Sequence, residues 1–478
     1  LLLFVYAVIS GLYISKVSFP NVLYVDLLLA LCLYFLFRDR FFCRFLVSSL
    51  ILIALLQAVF IVLQALGLFT GKNLYYSSTG FFHSPAIAAI IQSLAGTLLF
   101  CYLKDGSLKR ANRICLSLLL LLLVVSICIT GSRAALISLV FGFSLLWISD
   151  TSDKRIKKKR ALISIFVLSL SIPLLCLIRM ESIPGRILSQ VVSLFEGVKT
   201  PLFGHGICRF NDVYMMAQAD FLDTIIGERF SLIADDICFP YNDLLRVFVE
   251  LGLTGVLLIA VLLVLTCVVQ RDARKLSPLV VYCVFAIFSF PSFNRFTALL
   301  FPVLLGYCHS DMTVSLGVRQ KFFPENIVAT IIMLCLSLFI RQSFSADIRS
   351  IYRGAQVDVV SVKKHFSYVR NDTYMNQRML YALKYNQNLV DSYFIDSIHP
   401  SFDSFLLFGQ IKYTEKQYDL AEYYLHYAKR MAPNRVMPKY WLWRVYIEQG
   451  AESRAEGMAN EVLSLKSKTI DTRLLREK

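Results

Sequence analysis

Apolar residues fall in long blocks along the first two-thirds of the chain, separated by short polar intervals. About eleven blocks can be drawn, at residues 1–18, 21–37, 45–67, 86–103, 113–130, 134–149, 161–179, 243–269, 277–290, 297–310 and 326–341. At 1.5 Å per residue a helix of about 20 residues crosses the roughly 30 Å of a bilayer's hydrocarbon. The pattern therefore predicts an all-α, polytopic membrane protein with about eleven transmembrane helices. The chain opens inside an apolar block without an initiator Met, which leaves room for one more helix upstream. Two stretches break the rhythm. Residues 180–242 form an interval of about sixty residues, long enough to carry function. Residues 342–478 are polar, Tyr-rich and helical in pattern, so the expected domains are a membrane domain over 1–341 and a helical domain over 342–478.

Composition agrees: 57% of residues are hydrophobic and 17% charged. The net charge of +16 would point to nucleic acid were it spread over a soluble surface, but in the membrane domain it is concentrated in alternate short loops, at 38–44, 104–113, 154–160, 271–275 and 319–321. The positive-inside rule makes those loops cytoplasmic and sends 68–85, 131–133, 180–242, 291–296 and everything after 342 to the far side. The partner implied is membrane lipid, not nucleic acid. Twelve Cys residues contain no CxxC pair, and most sit in apolar blocks as small hydrophobes. Cys208 and Cys238 both fall in the far-side interval, where either a disulfide or two unpaired thiols fits.

Polar residues at membrane depth are costly and mark function by default. Thr130-Gly131-Ser132-Arg133-Ala134 is a tight far-side turn that sets one guanidinium at headgroup level. A planar five-donor fork suits a phosphate or diphosphate; the alternative is an interfacial anchor. In the block beginning at Asn242, Asn242, Arg246 and Glu250 share one helical face with Asp243 beside them. That stripe is either functional or an ion pair neutralising itself. Gly252 and Gly255 further along are expected to permit close helix packing. The interval 180–242 adds Gly185-Arg186-Ile187-Leu188, a Pro201-Leu202-Phe203-Gly204-His205-Gly206 run and Arg209. Arg186 and Arg209 are candidates to join Arg133 around an anion. His205 is either an acid–base group or structural, and Asp235-Asp236 either a cation site or a solvated pair. No zinc spacing, P-loop, dinucleotide fingerprint or nucleophile elbow is found.

In the tail, Ala421-Glu422 recurs as Ala455-Glu456, a spacing of 34 residues that looks like a tetratricopeptide repeat. Such helix pairs stack and present a concave surface to a protein partner, or serve only as a cap packed on the membrane domain.

Taken in order, several pieces resemble the O-antigen ligase and polymerase superfamily, over most of residues 45–341. They are Ser132-Arg133-Ala134, the GRIL segment at Gly185 to Leu188, the PLFGxG run, the stretch from Tyr214 to Phe221, and Asn242 followed by Gly252-Leu253-Thr254-Gly255-Val256. The resemblance implies an inverting, metal-independent and cofactor-free glycosyltransferase of the bacterial inner membrane, its site and tail facing the periplasm. It implies transfer of a glycan from undecaprenyl diphosphate to an acceptor hydroxyl, the leading acceptor being lipid A-core. Protein O-oligosaccharyltransferase and O-antigen polymerase are the alternative activities, and a polysaccharide flippase or transporter the non-enzymatic one. Arg133, Arg186 and Arg209 would serve the diphosphate; Asp243, Tyr241, Asn242, Glu250 and His205 are the acceptor-side candidates. One departure matters: the family pattern has His before the Asn, where this chain has Tyr241, so Asp243 becomes the most economical base.

Overall fold

The computed structural model describes residues 1–17, 19, 21–71, 76–104, 108–177, 180–310, 324–354 and 356–465, and among them every regular element is helical. Each of the eleven apolar blocks lies on helix: α1 (Leu2–Ile9, extended by a π turn to Ile14), α2 (Val22–Leu36), α3 (Arg40–Ala65), α4 (Pro85–Leu103), α5 (Arg110–Thr130), α6 (Arg133–Ser149), α7 (Lys154–Leu177), α10 (Asp243–Val269), α11 (Ala273–Phe288), α12 (Arg295–Cys308) and α13 (Pro324–Tyr352). Among the described residues, five helical stretches are long and apolar enough to cross a membrane: Arg40–Ala65, Pro85–Leu103, Arg110–Thr130, Asp243–Val269 and Ile327–Tyr352.

Capping sets several starts. Asn21, Asp39, Asn242, Asp272 and Asn294 each accept a backbone N–H from the first turn of α2, α3, α10, α11 and α12 respectively. Gly131, left-handed at φ 65°, ends α5 and turns the chain straight into α6. The bundle is centred on α4, whose Ile87, Ile90, Ile91, Leu94 and Ala95 are buried against α3, α5, α6 and α11. Around that core, α3 and α5 leave large apolar side chains such as Leu52, Leu56, Leu118 and Leu121 exposed, as lipid-facing surfaces require.

Contacts sort the helix ends into two sets. Lys104 pairs with Asp150 and so does Arg160; Lys275 donates to Ser310; Gln270 donates to the Cys308 carbonyl; and Tyr34 meets His309. These contacts gather the ends that carry the basic loops 38–44, 104–113, 154–160 and 271–275; residues 319–321 lie outside the described residues. The ends of α6, α10, α11 and α12 at residues 133, 243, 288 and 295 belong to the other set.

There the interval 180–242 is a folded body rather than an open loop. It holds α8 (Ile183–Gly197) and α9 (Phe210–Leu222) and buries Leu188, Val192, Phe210, Tyr214 and Met215. The tail follows as α14 (Val359–Val369), α15 (Thr373–Tyr385), α16 (Ser392–Ser397), α17 (Phe402–Thr414), α18 (Tyr418–Met431), α19 (Met437–Glu448) and α20 (Glu452–Ser464). Ala421 and Ala455 occupy equivalent buried positions in α18 and α20, and Glu422 pairs with Arg454 between the two helices at 2.9 Å.

The tail packs on that folded body. Phe402, Phe405 and Met431 share its core, Arg430 pairs with Asp220 and Asp223, Arg435 with Asp235, and Gln218 donates to the Met431 carbonyl. A further clamp is Asp212, whose carboxylate meets both Arg209 and His399. Burial alone would raise its pKa, but His399 and Arg209 outweigh that and hold it below the ordinary carboxylate value. Because the folded value is the lower one, this contribution is complete above about pH 4 and is lost as the pH falls through the folded value. Hydrogen exchange of α9 should therefore show protection falling below about pH 4, with a smaller step in Asp212→Asn. An unchanged acid step in that variant would assign the loosening to other groups.

One open alternative is decided and one expectation changes. Cys208 and Cys238 are both free thiols, the second of the two alternatives. The 243–269 block is not one uninterrupted helix. At Gly252 the backbone turns to φ 64°, ψ −167°, dividing it into 243–251 and 253–269.

Candidate functional site

The break in α10 positions the site. A gap in a helix frees carbonyls before it and N–H groups after it, and at membrane depth these must find protein partners. The run 201–206 supplies them. His205 N–H donates to the Val249 carbonyl at 2.9 Å and Gly206 N–H to that of Glu250 at 2.8 Å. In return, Leu253 N–H donates to the Pro201 carbonyl at 2.8 Å and Thr254 N–H to that of Leu202 at 3.1 Å. The Tyr6 hydroxyl donates to the Leu251 carbonyl at 2.8 Å, drawing α1 into the joint. Gly252 and Gly204 face each other: a Cβ on Gly252 would stand 2.4 Å from the Leu202 carbonyl, and one on Gly204 2.5 Å from Glu250 backbone carbon. Gly252 thus serves a break, not the helix packing the sequence implied; Gly255 sits just past it, tight against Leu251.

Above the break, the polar stripe divides by task. Asn242 caps the helix, accepting from Leu244 and Leu245 N–H. Arg246 donates to Glu250 at 3.0 Å and to the Ser292 hydroxyl at 3.3 Å. Glu250 is 7% exposed and also accepts from Phe210 N–H, so it joins α10 to the folded interval rather than presenting a base to solvent. Asp243 is held from the segment between α11 and α12: Ser292 donates its hydroxyl to Oδ1 at 2.6 Å and its N–H to Oδ2 at 2.9 Å.

Beside Asp243 stands Tyr241, left-handed at φ 54°, a costly conformation for an aromatic residue. Its ring packs edge-on against Phe239 and Phe290, and the Arg186 guanidinium lies over it, 4.7 Å from the centroid. Burial pushes the Tyr241 phenol above its usual pKa, although Arg186 pulls the other way, so at neutral pH it is held protonated and offers even less phenolate than a free tyrosine. Arg186 also donates to the Phe288 carbonyl at 3.2 Å. Arg133 reaches across from α6 to the Ser182 hydroxyl at 2.7 Å. Ser182 precedes α8 and Arg186 lies in its first turn, so both arginines stand at one helix N-terminus, whose dipole also favours an anion.

Two candidates stand apart from this group. Arg209 is engaged with Asp212 and the Ser15 carbonyl. His205 turns its ring to Glu196, 3.2 Å from the carboxylate. Burial raises the Glu196 pKa, but His205 and Lys199 together hold it below the ordinary value, which marks a structural ion cluster at the end of α8. Asp235 pairs with Arg435 in the tail, and no group of three or more His, Cys, Asp or Glu residues able to hold a metal occurs among the described residues.

Sequence reasoning missed Ser182 and Ser292. The second was findable: Phe290-Pro291-Ser292-Phe293-Asn294 is a short polar insert between two apolar blocks on the same side as Asp243. His399, far along the tail, had no signal tying it to Asp212. Comparison with known protein families, with curated proteins and with solved structures finds no match to this chain.

Proposed function

We propose that the chain is a membrane glycosyltransferase of the O-antigen ligase kind, moving a glycan from undecaprenyl diphosphate to an acceptor hydroxyl, with lipid A-core the leading acceptor. The observation that carries this reading is the pairing of Arg133 and Arg186 at the start of α8, beside the Asp243–Ser292 pair, at the end of the bundle opposite the basic loops. Two guanidinium groups and a helix N-terminus fit a diphosphate, and a fixed carboxylate a short way off fits an acceptor proton. The reaction asks little more: diphosphate is a competent leaving group, so positioning, proton removal and charge stabilisation suffice. In this reading Arg209 ties the folded interval to the end of α1 and steadies Asp212, not a diphosphate, and the site faces the periplasm of a bacterial inner membrane. About eleven spanning helices and a tetratricopeptide-like tail complete the proposed architecture. Packing of that tail onto α9 favours a cap over a free docking module.

The deciding experiment incubates purified protein with an undecaprenyl-diphosphate glycan and alternative acceptors. Glycan on lipid core with release of lipid diphosphate supports ligation. Glycan on protein or lengthened glycan would move the activity to an oligosaccharyltransferase or a polymerase, and translocation without bond breakage would make the protein a flippase.

Asp243 is the proposed acceptor-side base. Each of its oxygens accepts one hydrogen bond from Ser292, which fixes the carboxylate and leaves a second lone pair on each. Asp243→Asn should reduce turnover by roughly 100-fold or more, and Tyr241→Phe by much less. The reverse order in steady-state rates would give the phenol the direct role.

A further inference from the structure

A second cleft lies between the folded interval and the tail, away from the arginine pair. It encloses about 500 Å³ of non-protein space, part of it open to solvent, and is lined by Asn211 and Asp236 from one side and Gln377, Tyr381, His399 and Asp403 from the other. Most of its buried polar atoms are spoken for. Asn376 donates to the Arg370 and Ser397 carbonyls and accepts from His399 N–H, and Asp403 is paired with Lys384 at 2.9 Å.

Two atoms are not. Asn211 is 7% exposed; its amide nitrogen donates to the Thr373 hydroxyl, but its Oδ1 has no partner. His399 has a side chain 10% exposed, with Nδ1 against the Asp212 carboxylate and Nε2 unpartnered. Asn211 Oδ1 can only accept, His399 Nε2 is the ring nitrogen left facing the cleft, and buried polar atoms in native proteins are nearly always satisfied. Whatever fills the cleft must bring a hydrogen-bond donor. Lys384 pairs with Asp403, and burial pushes the Asp236 carboxyl up to about 7, so the cleft holds little net charge with which to select either an anion or a cation. A neutral ligand carrying several O–H groups answers both orphans, and the half-exposed ring of Tyr381 offers an apolar wall for a sugar's C–H face.

We propose that this cleft is a carbohydrate-binding subsite, with Asn211 Oδ1 accepting from one sugar hydroxyl and His399 Nε2 hydrogen-bonded to another, since a hydroxyl both donates and accepts. Which glycan it takes rests on the glycosyltransferase reading: the donor's chain and the acceptor's core sugars share this chemistry.

The test uses full-length protein in lipid nanodiscs and measures binding by calorimetry with two lipid-free probes, the oligosaccharide released by mild acid from the polyprenyl-linked donor and the delipidated core oligosaccharide. Binding of one probe assigns the source. Asn211→Ala should weaken it about tenfold, the equivalent of one lost hydrogen bond. Thr373→Val removes the same contact between interval and tail but keeps Oδ1, and should bind as wild type. Tyr381→Ala, a change at an exposed side chain, should weaken binding as well and serves if Asn211→Ala does not fold. Because no turnover is needed, the readout is separate from the transfer assay. Wild-type protein that transfers glycan yet binds neither probe, or that binds only a tri-lysine peptide, would overturn the subsite and leave the transferase reading in place. Equal weakening by Thr373→Val and Asn211→Ala would also overturn it, reducing Asn211 to a clamp.

Discussion

Gly252→Ala should abolish or severely destabilise the folded protein, by about 3 kcal/mol or more, while Gly457→Ala should stabilise it by about 0.5–1 kcal/mol. The contrast follows from backbone geometry. Gly252 sits at φ 64°, ψ −167°, a region essentially closed to residues with a Cβ, and the added carbon would lie 2.4 Å from the Leu202 carbonyl. The backbone cannot relax by becoming helical. That would withdraw the partners now serving the carbonyls of Val249, Glu250 and Leu251 and the N–H groups of Leu253 and Thr254, and would strand the 201–206 run that supplies most of them. Gly457 lies within helix α20 with nothing within 4 Å of its would-be Cβ, so alanine there gains only helix propensity. Thermal unfolding in detergent, followed by helical circular dichroism and size-exclusion homogeneity, measures both. A Gly252→Ala protein as stable as wild type would mean that α10 is not broken there.

That break shows where reading the sequence succeeds and where it stops. The eleven apolar blocks are all helical because each carries its own hydrophobicity, and five of their helices their own capping residue, and these are local properties. The division of α10 is not local. Asp243 to Val269 is apolar enough to pass for one continuous span, and Gly252-Leu253-Thr254-Gly255 reads equally well as a packing notch. Only the partnership with Pro201 to Gly206, some fifty positions earlier, makes the irregular backbone affordable, and no periodicity announces such a pairing. The site divides in the same way. Arg133 and Arg186 were marked by charge at a helix end, which the sequence displays. His205, Arg209 and Glu250 were marked by the same reasoning and turn out to be bound to Glu196, Asp212 and Arg246, near neighbours in sequence, because whether two nearby charges spend each other depends on how the turns between them fold. Ser292 matters only because α11 and α12 bring it to Asp243.

Arg186→Ala and Arg133→Ala should each reduce glycan transfer by roughly 100- to 1,000-fold, with the protein still inserted and folded. Among the contacts described, both side chains meet neutral groups. Arg133 is tied to a neutral hydroxyl, Ser182 Oγ, and Arg186 to the Phe288 carbonyl and the face of Tyr241. The transition state loses more than the ground state, since negative charge on the departing phosphate grows as the glycosidic bond breaks and a preorganised guanidinium stabilises it without reorganising. Lys at either position should restore only part of the rate, as a point charge without the bidentate fork. The two arginines are not equivalent. Arg186→Ala also uncovers the Tyr241 ring beside Asp243, so it should disturb the acceptor side, read as a change in acceptor KM that Arg133→Ala does not share. Steady-state kinetics with donor and acceptor varied in turn separates the two. Near-normal turnover in either alanine variant would reduce that arginine to an interfacial anchor, and with both normal the diphosphate site must lie elsewhere in the chain.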